Sequence, residues 1–294
     1  MQLKKGDNID LVAPSSFPVN KAWLEGVEIL KDWGLNPCFP KDMIRQWLYH
    51  AHTNKKRSQF LQQAFKNKKS QFVWAIRGGY GLQKIMPDFI KNKYPKKTFI
   101  GFSDATALHL YLNTVCKIPS LHAPFVADLP HLSKKQLSFL KGVLFGDQKE
   151  LVFSNLKYFG KIPKAKKIKS PLIGGNLSLI STSLSSPWFP IRKEPYFLFL
   201  EDINEKSYSV DRFLHQLFFS GQMKKVKALF LGSFQPLKQQ DLKYIFLKSF
   251  SEMSQIPIVM DFPVGHISNN QPLPLGQMAT LFVDKNKATV KIKT

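Results

Sequence analysis

TFIGFSDATALHL, residues 98–110, is the stretch on which the fold turns. Thr98 to Gly101 has the look of a short buried strand end, and Ala105 onward that of a helix. Gly101, Phe102, Ser103 and Asp104 must therefore reverse the chain within very few residues. A serine on such a turn stands clear of the sheet, beside the first unbonded N–H groups of the helix. Hydroxyl and oxyanion donors are then found together, which is what nucleophilic attack on a carbonyl requires. Simple capping of the helix by Ser103 or Asp104 accounts for the same residues, so the choice rests on the rest of the chain.

Upstream, Asp7 to Pro14 reads as a first strand running into the breaker-rich turn APSS. A helix follows from about Asn20 to Trp33, with Trp23, Val27 and Leu30 on its apolar side and Gly34 as its stop. A polar, basic helix is expected from about Asn54 to Asn67. The apolar run Phe72 to Ile76 is a buried strand that breaks into RGGYG, residues 77–81. With the strand and helix of 98–110 this makes a βαβαβα order, hence a parallel sheet with helices on both faces. Ligands bind such sheets beyond the carboxyl ends of the strands, and both RGGYG and GFSD sit at those ends. RGGYG fits neither GxxxxGK[ST] nor GxGxxG. Arg77 suits a substrate carboxylate, or equally a neighbouring acid.

Downstream, the α/β alternation lapses from about residue 126 to 169, where a helix near 133–145 and the lysine-rich KYFGKIPKAKKIK are expected to connect two domains. A second organised region starts at Ser170, with Gly174 and Gly175 leading into a small helix. The strand YFLFL, residues 196–200, ends directly in Glu201 and Asp202. SVDRFLHQLFFSG is an amphipathic helix closed by Gly221. Strands at 228–232 and 256–259 come next, then Val264-Gly265-His266 and two short β segments, 279–283 and 288–292. The predicted division is 1–125, a domain carrying the serine; 126–169, a connection; and 170–294, a β/α domain carrying Glu201 and His266.

The 294 residues are enough for two domains with real cores, and 44% hydrophobic and 13% aromatic content fits a globular chain. No apolar run approaches the length of a membrane helix and no signal peptide is expected. Cys38 and Cys116 form no framework and no CxxC pair, which points to a reducing cytoplasm. Lys+Arg 43 against Asp+Glu 20 gives a net charge of +23. Such a charge raises the question of nucleic acid. The lysines are scattered, however, in KNKK, KNKYPKK, KIPKAKKIK and MKKVK, and outnumber arginine, the residue that reads bases and grips phosphates bidentately. Nucleic acid is not an expected partner; a general attraction for anions is.

Ser103, Glu201 and His266 all fall where strands give way to loops, in the order nucleophile, acid, base. His266 would take the serine proton and return it to the leaving amine, with Glu201 fixing its tautomer and stabilising its cation. Each also has a plainer reading: Glu201 could pair with Arg212, and His266 could be a hydrogen-bonded loop residue. His109 and His215 fall within helices as packing or polar-face residues, and His50, His52 and His122 in loops. No HExxH or Cys/His cluster suggests a metal, and no cofactor is expected.

The chain resembles the LD-carboxypeptidase family of serine peptidases (family S66), which includes the microcin C immunity hydrolases. The resemblance runs end to end through VAPSS (12–16), RGGYG (77–81), GFSDAT (101–106), LIGGNLSLI (172–180), FLEDINEKSYSVDRFLHQL (199–217), LGSF (231–234) and PVGHISNNQPLPLG (263–276). It implies a flavodoxin-like N-terminal domain and a smaller C-terminal β/α domain of swivelling type, with the site between them. It assigns the nucleophile to Ser103, the acid to Glu201 and the base to His266, with backbone N–H groups of Asp104 and Gly79 as oxyanion donors. Gly78 and Arg77 would border the substrate. It further implies a cytoplasmic homodimer that removes the terminal D-alanine from diaminopimelate in murein tetrapeptides, or, in the immunity branch, cleaves a peptidyl or aminoacyl adenylate. A non-catalytic basic protein for polyanions is the reading from outside this class. Leu82 after RGGYG and Ala105 after GFSD depart from the common pattern, which bears on the shape of the pocket.

Overall fold

A computed structural model describes residues 2–162, 164 and 166–294. Pro163 and Ala165, within the lysine-rich connection, lie outside them. The first sheet holds β1 (Asn8–Val12), β2 (Asn36–Cys38), β3 (Ser70–Ala75), β4 (Thr98–Gly101) and β5 (Ser120–His122), all parallel, in the order β5-β4-β3-β1-β2. Helices α1 (Ala22–Asp32), α2 (Asn54–Lys66), α3 (Met86–Phe89) and α4 (Thr106–Thr114) provide the crossovers. Strands β3 and β4 are buried almost throughout, as expected of parallel strands covered on both faces. Trp74 on β3 is fully buried and its indole N–H donates to the Pro124 carbonyl, 2.9 Å.

After α5 (Lys134–Phe145) the chain forms β6 (Glu150–Phe159), β7 (Lys167–Asn176), α6 (Leu177–Thr182), β8 (Tyr196–Ile203), α7 (Ser207–Phe219), β9 (Val226–Gln235), β10 (Ile258–Met260), β11 (Leu273–Leu275), β12 (Met278–Asp284) and β13 (Lys287–Lys293). All of these strands except β11 close into a barrel of order β10-β6-β13-β12-β7-β8-β9. The run β7-β8-β9-β10 is parallel, and the other pairings are antiparallel. Strands β6, β12 and β13 alternate buried and exposed residues, with lysines on the outer face of β13. β8, by contrast, is buried over seven of its eight residues.

Two departures from the expected division are instructive. β6 lies in the stretch read as connection, where its alternation is masked by Glu150, Ser154, Asn155 and Lys157, all exposed. β11 returns to the first sheet, pairing antiparallel with β5 through Leu273 opposite His122. One apolar cluster accordingly runs from Ile9, Trp74 and Leu121 of the first sheet to Phe199 and Val290 of the barrel and Phe262 in the loop after β10.

Candidate active site

The site is built at the carboxyl ends of β3, β4 and β8. β4 ends at Gly101, Phe102 is extended, and Ser103 opens a short 3-10 helix that feeds α4. Ser103 has φ +54, left-handed backbone that is costly for a residue with a Cβ. A turn this sharp is what lifts a side chain off the end of a sheet. Ser103 is half-buried.

The RGGYG loop lies against this turn. A Cβ built on Gly78 would come within 2.7 Å of the Phe125 ring and 3.2 Å of Ser103 Cβ, so only glycine permits the approach. The Gly78 carbonyl accepts from Ser16 N–H, 3.1 Å, and Tyr80 N–H donates to Ser16 Oγ, 3.0 Å. The intervening Gly79 N–H, and likewise that of Asp104, has no protein acceptor among the described residues. Arg77 donates one hydrogen bond to the Phe17 carbonyl, 2.8 Å, and is half-buried with no carboxylate bound to it among the described residues.

The second domain supplies an acid and an imidazole. Glu201, near the end of β8, is fully buried. Its Oε2 lies 2.6 Å from His266 Nδ1. Arg212 lies instead over the Tyr208 ring, so the plainer pairing for Glu201 does not occur. His266 follows Gly265 in the loop after β10, and its ring centroid is 4.8 Å from that of Phe102, the residue before Ser103. No hydrogen bond joins Ser103 to His266 among the described residues; such contacts are often long until substrate binds. Burial alone would lower the His266 pKa, but the Glu201 hydrogen bond and charge, with Asp202 and Asp128, together raise it above the ordinary 6.5. Asp202, held by Asn176 Nδ2 and by Ser178 and Ile203 N–H, has its carboxyl pushed by burial up to about 6.

The histidines divide as their surroundings dictate. His109 is buried on α4 between Ser120 Oγ and the Gly101 carbonyl, and burial lowers its pKa to about 4. His122 lies on β5, in strand rather than loop, with neither ring nitrogen bonded among the described residues. His50 and His52 are buried in their loop, and His215 is a helix-surface residue bonded to the Asp211 carbonyl. Sequence reasoning passed over Arg57, which is 1% exposed although its helix is mostly polar. Its apolar flanks, Phe60 and Leu61, were the available signal.

Comparison with known proteins identifies the family. Residues 9–123 match the LD-carboxypeptidase N-terminal domain and residues 169–281 the LD-carboxypeptidase C-terminal domain. The chain belongs to the LD-carboxypeptidase family. As a member it is a serine-type carboxypeptidase, a hydrolase of peptide bonds. It is 33% identical to a Rickettsia conorii protein that bears a carboxypeptidase name, over 92% of this chain and 86% of that one. It is 26% identical to the microcin C7 self-immunity protein MccF of Escherichia coli, over 97% and 93% of the two chains. The crystal structure of muramoyltetrapeptide carboxypeptidase from Oxalobacter formigenes superposes with a TM-score of 0.80 at 27% identity, over 98% of this chain and 99% of that one. No helix among the described residues of this LD-carboxypeptidase is long and apolar enough to cross a membrane.

Proposed function

We propose that this carboxypeptidase cleaves the amide between the L-centre of meso-diaminopimelate and the terminal D-alanine of murein tetrapeptides. Ser103 Oγ attacks the diaminopimelate carbonyl while His266 takes its proton. With Nδ1 engaged by Glu201, Nε2 is the nitrogen left for that exchange. The oxyanion is held by the N–H groups of Asp104 and Gly79. Collapse of the tetrahedral intermediate breaks the C–N bond, and His266 returns the proton to the departing D-alanine amine. Water then attacks the acyl-serine, with His266 again as base, and tripeptide leaves. Glu201 orients the imidazole and stabilises its cation.

The observation that carries this reading is the 2.6 Å bond from Glu201 Oε2 to His266 Nδ1, made against the ring of the residue preceding Ser103. Resemblance to a muramoyltetrapeptide carboxypeptidase supports the substrate, and Arg77, with guanidinium nitrogens to spare, suits one of its carboxylates. The reading places the enzyme as a homodimer in cytoplasmic recycling of wall fragments. Incubation of the purified protein with murein tetrapeptide should release D-alanine, and Ser103→Ala should abolish release. Undiminished release by that variant would exclude Ser103 as nucleophile. Because the likeness to MccF is similar in extent, a peptidyl adenylate assayed alongside decides between the two substrate classes: faster cleavage of the adenylate would move the protein to the immunity branch.

A further inference from the structure

We propose that Arg57 and the side chain of Asp104 are positioning residues that clamp the oxyanion loop to the nucleophile turn. Arg57 projects from the first turn of α2 into the space between the loops that follow β1 and β3. Its Nη1 donates to the Pro14 carbonyl and, at 2.9 Å, to the Gly81 carbonyl. Its Nε donates to the His52 carbonyl, 3.1 Å, and its Nη2 to Asn54 Oδ1, 2.6 Å. One buried guanidinium therefore ties three separate stretches of chain together, with a planar donor set that lysine cannot reproduce.

The second half of the clamp is Asp104, 1% exposed, whose Oδ2 accepts from Leu82 N–H at 2.8 Å. Gly81 C=O and Leu82 N–H belong to one peptide group. That plane is thus gripped at its oxygen by Arg57 and at its nitrogen by Asp104, which fixes the tilt of the loop three residues from Gly79. Asp104 also carries the other free N–H, so the two oxyanion donors are fastened to each other through its carboxylate. Burial raises the pKa of Asp104 and lowers that of Arg57, and the opposite charge of each partly offsets that cost for the other. Oxyanion donors act most strongly in the transition state, so loss of registration should appear in kcat.

This inference rests on the oxyanion role of Asp104 and Gly79 given above. Its test is steady-state hydrolysis of murein tetrapeptide by the wild type, Arg57→Gln, Arg57→Lys and Asp104→Asn, with inhibition by a peptide boronate that mimics the tetrahedral adduct. Arg57→Gln should lower kcat about 10- to 100-fold with KM little changed, Arg57→Lys should recover part of the loss, and boronate affinity should fall in parallel with kcat/KM. Asp104→Asn keeps an acceptor for Leu82 and the residue's volume, so it should fold and show a smaller kcat loss. Wild-type kcat and boronate affinity in the folded Arg57→Gln or Asp104→Asn protein would overturn the clamp. So would losses confined to thermal stability. Should Arg57→Gln not fold, Asp104→Asn alone decides. Failure of the wild type to release D-alanine would instead strike the substrate reading.

Discussion

At the scale of the residue, the behaviour of His266 follows from its company. A general base must be neutral to accept a proton, and Glu201, Asp202 and Asp128 hold its pKa above 6.5 against the opposing effect of burial. Activity should therefore rise with pH through that raised value, giving an acid limb of kcat/KM above 6.5. Glu201→Gln removes the main stabiliser of the cation while burial remains. It should move the acid limb to lower pH and cut kcat about 10²- to 10⁴-fold. An unmoved limb would show that Glu201 does not govern the titrating group. The same linkage acts on stability: the raised pKa contributes folding free energy below about 6.5, lost as pH rises through the folded-state value.

At the scale of the element, the placing of β7 against α4 determines how the barrel meets the serine. Asn176 N–H, at the end of β7, donates to Thr106 Oγ1 at 3.0 Å, three residues after Ser103. Gly175 has φ +144, and a Cβ there would lie 2.5 Å from that hydroxyl. Thr106→Val keeps the shape but strands the buried Asn176 N–H, for a loss of about 1–3 kcal/mol. Chemical denaturation would measure it, and an unchanged midpoint would mean that the two elements are held by apolar packing alone. β4, the buried β3 and the amphipathic α7 were legible because period and burial agree in them. β6 was not, because its buried residues alternate with lysine and polar residues in a lysine-rich stretch.

At the scale of the whole molecule, 43 basic residues against 20 acidic ones give the protein a positive field, and the substrate of the proposed reading is a peptide bearing several carboxylates. Such a field speeds encounter and is screened by salt. Between about 50 mM and about 500 mM salt, kcat/KM for the tetrapeptide should fall about 3- to 10-fold, mostly through KM. Flat salt dependence would mean that the charge serves something other than substrate capture. Tight, steeply salt-dependent binding to DNA or RNA would restore the polyanion-binding alternative.

Strand and helix periodicity and the strand-end position of GFSD were determined by local sequence, because each depends on residues within a turn or two; β8 runs on through Glu201 to Ile203, past the end its apolar run suggests. The antiparallel return of β11 to the first sheet, the closure of the barrel and the meeting of Glu201 with His266 across 65 positions were decided only by tertiary structure. So was the burial of Arg57 between two loops. Contacts of that range are chosen by which surfaces exclude water together, a property of the packed whole that no local window of sequence contains.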